Sequence, residues 1–393
     1  EIIAEVVAAM KSGWITTGPR TKNFERMLTA FNGNQSTLCV NSATAGLELV
    51  LRWFGVGPGD EVIVPAYTYC ATANVVLHCG ATPVMVDVLP DTFNIDPDKI
   101  AEKISACTKA IIPVDIAGFP ADYDAINQLV NNEDIRRKFT PRNPNQRKLG
   151  RILVLSDAAH SLGAIYNGKS TGSLCDITVF SFHAVKNLTT AEGGAIAFNL
   201  PEAFDNEEVY KFCNIFGLHG QSKDALAKLS GKASWKYDVI MPGYKVNMTD
   251  MQAAMGIVEL RRYREDTLQK RKAIFEYYQT AFAKYDWAIS PTCRNKKSES
   301  SYHVYLLRIK NISEEIRDNM IIDIFGSEVS VNVHFQPLPL LSAYKYLGYR
   351  MQDFPVAYAN YANEISLPVF YDLTEEMCQQ VVEAVVHAYN QIK

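Results

Sequence analysis

The sequence predicts an α/β protein: a large domain with a mostly parallel seven-stranded sheet between helices, and a smaller α+β domain at the C-terminal end. Three observations predict it. Short β-branched and apolar runs recur and end in polar residues, as buried parallel strands do. Stretches of helical period lie between them, the pattern of parallel crossover units. After Pro291 this alternation gives way to mixed strand and helix patterns. The 393 residues, 48% hydrophobic and 21% charged, are enough for two domains with sizeable cores. We place the large domain at 1–250 and a connecting helix with the small domain at 251–393.

Residues 1–11 carry Ile2, Val6, Val7 and Met10 at helical spacing and break at Ser12-Gly13. The loop 14–19, with Thr16-Thr17-Gly18-Pro19, reads by itself as a connector, and a helix resumes over 24–31. A short strand at 38–40 leads through Asn41-Ser42-Ala43-Thr44-Ala45-Gly46 into the helical pattern of Leu47, Leu49, Val50, Leu51 and Trp53. Small hydroxyl-bearing residues at a helix start leave backbone N–H groups free to grip an anion. They serve equally as an ordinary cap at Ser42 or Thr44. Strands follow at 60–65, 84–88 and 109–114, with Tyr69 at the turn into a helix through Val75, Val76 and Leu77, and Asp115 just past the third strand.

Residues 131–151 change character, with seven Arg and Lys among Asn and Pro. This predicts a basic surface insertion, a solvated loop in preference to a contact for a phosphorylated ligand. The strand at 152–157 delivers Asp157 at its carboxyl end, where ligands of open α/β sheets sit; a helix cap or turn is the plainer alternative. Another strand ends at Ser181, Lys186 follows it, and 193–198 form the next. Thr249 or Asp250 caps a long helix from Met251 that carries a charged turn part-way. Strands at 302–307 and 329–333, a helix over 316–325 and a final helix over 374–392 make the small domain.

A formal net charge of −4 provides no electrostatic footprint for nucleic acid or an anionic membrane surface, so a small molecule is the expected partner. The eight cysteines are scattered, without a C-x-x-C pair or a His/Cys cluster at metal-ligand spacing, as in a reducing compartment, and no metal site is expected. No apolar run approaches the roughly 18 residues of a membrane span, and a cytoplasmic protein is expected. The chain starts at Glu1 without a methionine, so a short leader is expected ahead of it.

A lysine past a strand end is ordinarily a solvated loop residue. An aspartate at one strand end and a lysine at the next, with an anion-gripping helix start in the same sheet, fit a pyridoxal 5′-phosphate (PLP) site. The lysine amine bonds the cofactor aldehyde, the aspartate holds a proton on the pyridine nitrogen, and the helix start takes the phosphate. An aromatic such as Tyr69 can stack on the ring, or simply pack.

The run Ser181-Phe182-His183-Ala184-Val185-Lys186-Asn187 with Glu192-Gly193-Gly194 resembles the lysine motif of the DegT/DnrJ/StrS family of PLP-dependent nucleotide-sugar aminotransferases, of fold type I. Gly13 to Pro19, Ser42 to Gly46, Asp157-Ala158-Ala159-His160, Pro242 to Asn247 and Val333-His334-Phe335 are similar to further family motifs, in the family's order. The resemblance covers nearly the whole chain. It implies that Lys186 is the Schiff-base lysine and proton shuttle and that Asp157 pairs with the pyridine nitrogen. It also implies that Tyr69 stacks on the ring, that His160 lies near its 3-hydroxyl, and that Thr44, Ala45 and Ser181 hold the phosphate, with Asn247 contributed by the neighbour in a homodimer. His183, His334 and Thr17 fall on the sugar-nucleotide side.

The activity implied moves an amino group from L-glutamate to a nucleotide-linked 4-keto-6-deoxy or related keto sugar, for surface polysaccharide or glycan biosynthesis. A 3-keto sugar aminotransferase, a sugar dehydratase and a non-catalytic sensor of the same fold are the alternatives. Lys186, where the dehydratases carry histidine, argues against the second, and an intact Asp157 and Lys186 against the third. Two departures stand out: the length of the basic insertion, and Asp115 where many relatives have histidine.

Overall fold

The computed structural model describes residues 1–222 and 236–392. The first strands are β1 (Ser36–Val40), β2 (Glu61–Pro65), β3 (Thr82–Val86), β4 (Thr108–Ile111), β5 (Leu153–Asp157), β6 (Ile165–Tyr166), β7 (Lys169–Ser170), β8 (Ile177–Ser181) and β9 (Gly194–Phe198). All but β6 and β7 form one seven-stranded sheet in the order β1-β9-β8-β5-β4-β2-β3. Pairing is parallel from β3 to β8, and β9 runs antiparallel to both β8 and β1.

Each strand of the sheet's middle is apolar on both sides because helices cover both faces. Ile177, Val179, Ile196 and Phe198 point into one core, with Leu47, Val50 and Leu51 of the helix Ala43–Trp53. Their alternating neighbours Phe180, Ala195 and Ala197 point into another, with Phe24, Leu28, Ala253 and Ile257 of the helices Pro19–Asn32 and Asp250–Arg262. A period of two residues sorts the side chains in this way. Burial of each large aliphatic side chain contributes about 2 kcal/mol.

The remaining strands are β10 (Ala288–Ile289), β11 (Ser298–Glu299), β12 (Tyr305–Ile309) and β13 (Glu364–Leu367). β10, β12 and β13 form an antiparallel sheet whose core is shared with the helices Leu268–Phe282, Glu314–Gly326 and Glu375–Gln391. β11 joins β6 and β7 in a small third sheet. The charged turn in the long connecting helix is a π-helical turn at Tyr263–Thr267. Among the described residues no helix is long and apolar enough to cross a membrane.

Three expectations are corrected. The run 329–333 is not a strand: Asn332 makes one isolated bridge to Ser366, the Val333 amide turns to the Asn332 side chain at 2.8 Å, and the His334 amide to the Ser366 hydroxyl and the Glu364 carboxylate at 3.0 and 3.2 Å. The strand of that region is β13. The strand expected over 302–307 starts at Tyr305, because Ser301 and His303 donate their amides to Gly118 and Ala117 of the large domain.

The basic insertion is not a solvated loop. It folds into two short helices, Glu133–Lys138 and Pro144–Leu149. Asn145 donates to the Trp53 carbonyl at 2.8 Å, and Asn143 and Gln146 to that of Phe54 at 2.9 and 3.0 Å. Arg142 pairs with buried Asp60 at 3.0 Å. Arg151 grips Asp176 through both terminal guanidinium nitrogens, Nη1 and Nη2, at 2.7 Å.

Candidate active site

The carboxyl ends of β1, β2, β5 and β8 lie along one edge of the sheet, where the reversed β9 begins. Val40 and Ser181 both pair with Gly194, and Asp157 pairs with Val179. A cavity of about 390 Å³ opens there. It is lined by Thr44 and Tyr69, by Asp157 and His160, by Ser181, His183 and Lys186, and, from the C-terminal part of the chain, by His303, His334 and Phe335.

The helix Ala43–Trp53 starts at the cavity because Ser42 caps it, its Oγ accepting the Ala45 amide at 3.1 Å. The first N–H groups of a helix have no partner within it, and the dipole makes this end attractive to an anion. A Cβ on Gly194 would lie 2.6 Å from the Ala43 nitrogen and 2.8 Å from the Phe180 carbonyl, so only glycine lets the helix start sit this close to β9.

Asp157 closes the fully buried β5. Its carboxylate accepts the Thr72 hydroxyl at 2.8 Å and the Ala159 amide at 3.3 Å, and it makes no ion pair within 4 Å with a described residue. Thr68 in turn bonds Thr72 at 2.9 Å. Burial raises the Asp157 carboxyl above its usual range, and these two hydrogen bonds and the charge of Lys186 pull it back. Burial likewise lowers Lys186 to about 8, against the pull of Asp157. Its amine makes no hydrogen bond with a described residue.

The rings of His160 and His303 lie 4.3 Å apart, and His160 stacks on Phe335 at 5.7 Å. Burial drives His160 and His303 well below their ordinary range and His334 down to about 4, with the positive charge of Lys186 adding to each. All three rings are therefore neutral near pH 7. The buried Nδ1 of His160 has no hydrogen-bond partner among the described residues. His183 stands at the rim, 3.6 Å from Glu192. Tyr69 is 61% exposed at the mouth, with its ring 5.9 Å from that of Phe335.

Eight of the eleven residues proposed from the sequence thus share one cavity. Ala45 does not line it: its amide is held by the Ser42 cap. Thr17 and Asn247 lie outside and bond one another at 2.6 Å, with Thr17 passing its own proton to the Met248 carbonyl. Sequence reasoning missed His303. Its imidazole bonds Asn187 at 2.7 Å, and Asn187 also donates to the Ser301 carbonyl. The only local signal was Asn187 following Lys186.

The family model described as the DegT/DnrJ/EryC1/StrS aminotransferase family matches residues 1–136 and 146–386. The chain belongs to this family. It is similar to a solved structure from Streptococcus pneumoniae described as the putative sugar aminotransferase Spr1654 in its PMP form, with 46% identity and a TM-score of 0.96 over 100% of this chain and 97% of that one. It is 37% identical over 388 residues to the spore coat polysaccharide biosynthesis protein SpsC of Bacillus subtilis, 98% of this chain and 93% of the relative. Helicobacter pylori PseC, an aminotransferase of pseudoaminic acid biosynthesis, superposes with a TM-score of 0.86 at 27% identity, over 100% and 96% of the two chains.

The protein is thus a PLP-dependent aminotransferase of fold type I. The unmatched stretch 137–145 falls inside the basic insertion. The residues present fit the cofactor. A buried carboxylate without a cationic partner suits a protonated ring nitrogen, the unpartnered Nδ1 of His160 suits a ring substituent, and the capped helix start suits a phosphate.

Proposed function

We propose that the aminotransferase moves an amino group from L-glutamate to the keto carbon of a nucleotide-linked 4-keto-6-deoxy or related sugar, producing an amino-sugar nucleotide for surface polysaccharide or glycan biosynthesis. The observation that carries this reading is the meeting of Lys186, Asp157 and the helix start in a cavity whose outer wall is His183, His334 and Phe335. The likeness to relatives described as acting in polysaccharide and sugar biosynthesis supports it.

Bound in this cavity, PLP supplies a carbonyl for the donor's amine and a ring that accepts the electron pair released at the substrate Cα. Asp157 holds a proton at the ring nitrogen and so keeps the ring electron-poor. With the cofactor bound, Lys186, whose amine burial lowers to about 8, would move the proton between the substrate Cα and C4′ of the cofactor. Ser181 and Thr44 with the helix start bind the phosphate, and Tyr69 and His160 bracket the ring. His183 and His334 orient the sugar nucleotide.

The enzyme works as a homodimer in the cytoplasm, with Asn247 reaching the neighbour's phosphate. Exposed apolar Ile3, Met10 and Ile15, near Thr17 in the chain, support a covered face there, and eight free cysteines support a reducing compartment. L-Glutamate should bleach the visible cofactor band of the purified enzyme, and a 4-keto sugar nucleotide should restore it with formation of the amine. A band indifferent to every amino donor would sink the reading.

A further inference from the structure

Behind His334 a buried carboxyl is wired to the cavity. Glu364 and Ser366 stand on the same face of β13, two residues apart, and both are buried. The Ser366 oxygen lies 2.6 Å from Glu364 Oε1 and 2.9 Å from Nδ1 of His334, and accepts the His334 amide at 3.0 Å. The other ring nitrogen, Nε2, makes no hydrogen bond with a described residue and is the one left for the cavity.

A serine oxygen has one proton and two lone pairs, and a neutral imidazole has one N–H. With Glu364 ionised, Ser366 must donate to the carboxylate, so Nδ1 carries the ring proton and Nε2 is an acceptor. With Glu364 protonated, the carboxyl donates to Ser366, the hydroxyl donates to Nδ1, and Nε2 carries the proton. We propose that Glu364 and Ser366 are positioning residues that set the tautomer of His334, so that the proton on Glu364 decides whether the ring offers the sugar a donor or an acceptor. Going from the protonated to the ionised state, Nε2 releases its proton to the cavity, Nδ1 takes that of Ser366, and Ser366 takes that of Glu364.

The groups around the relay are consistent with both states. Arg317, on the helix Glu314–Gly326, donates to the Glu364 carbonyl at 3.0 Å, and Arg308 of β12 also acts on the carboxyl. Tyr67 donates to the His334 carbonyl at 2.6 Å, and Lys186, His160 and His303 share the cavity wall. Burial outweighs the two arginines and raises Glu364 to about 8, while His334 stays a neutral ring.

The inference rests on the cavity being the sugar aminotransferase site, but its test needs no sugar, so its failure and that of the glutamate test are separate results. In the ¹⁵N-histidine spectrum of the holoenzyme, His334 should pass from Nε2–H to Nδ1–H as pH rises through about 8. Ser366→Ala should abolish the change, Ser366→Thr should restore it, and Glu364→Gln should make the tautomer independent of pH. A wild-type tautomer that never changes overturns the proposal, as does a change that survives in Ser366→Ala. If Ser366→Ala does not fold, Glu364→Gln decides alone: a transition that persists there belongs to another group and overturns it.

Discussion

Lys186 concentrates the chemistry in one amine whose properties come from its surroundings. Burial lowers it from the ordinary 10.5 to about 8, so the neutral, nucleophilic form is reached near physiological pH. The sign is testable: capture of PLP by the cofactor-free enzyme should quicken as pH rises to about 8 and level off above it, whereas an ordinary lysine would keep gaining far beyond. Lys186→Ala should lower turnover by about 10³-fold, the scale of a lost acid–base group, while the fold persists by circular dichroism. Lys186 and Asp157 were legible in the sequence because each sits within a few residues of a strand end that announces itself by apolar, β-branched composition. His303, Ser366 and Glu364 were not. They lie more than a hundred residues further along the chain, and no local pattern says that a run such as Ser300-Ser301-Tyr302-His303 reaches a cavity at the edge of the large sheet.

At the scale of elements, the strands of the large sheet were legible because burial on both faces writes itself as continuous apolar runs. The segment 329–333 misled because its alternating valines resemble a half-buried strand, while its pairing with β13 is one isolated bridge at Asn332 and the Val333 amide turns to the Asn332 side chain. The basic insertion misled for another reason: its cationic composition hides polar side chains that cap backbone carbonyls. Gln146 is the clearest case, buried, donating to the Phe54 carbonyl and accepting the Arg142 amide at 2.8 Å. Gln146→Ala should therefore destabilise the protein by about 1–3 kcal/mol, through the orphaned Arg142 amide, while the Phe54 carbonyl keeps its bond from Asn143. Thermal unfolding should record a lower Tm with the cofactor site intact.

At the scale of the whole molecule, the cavity draws on distant parts of the chain, since the sheet edge supplies Asp157 and Lys186 and the segments around β12 and β13 supply His303 and His334. Thr17 and Asn247 stand outside it, bonded to each other, which is where a residue intended for a neighbouring copy would stand. In a homodimer with shared sites, Asn247→Ala and Lys186→Ala should each lose activity alone. Mixing the two inactive proteins should then recover part of it, because one of the hybrid's two sites has both residues intact. Recovery is read by turnover after subunit exchange, and its absence would remove Asn247 from the site.

The insertion bears on practical use. Its helices fasten to Trp53, Phe54 and Asp60, at the opening end of β2, whereas Tyr69 meets the cofactor cavity past that strand's other end. Five residues of strand, about 17 Å, separate the two edges. A fluorophore or a surface tether attached at exposed Lys138 would consequently ride on the far side of the sheet, immobilising the catalyst with its mouth facing the solution.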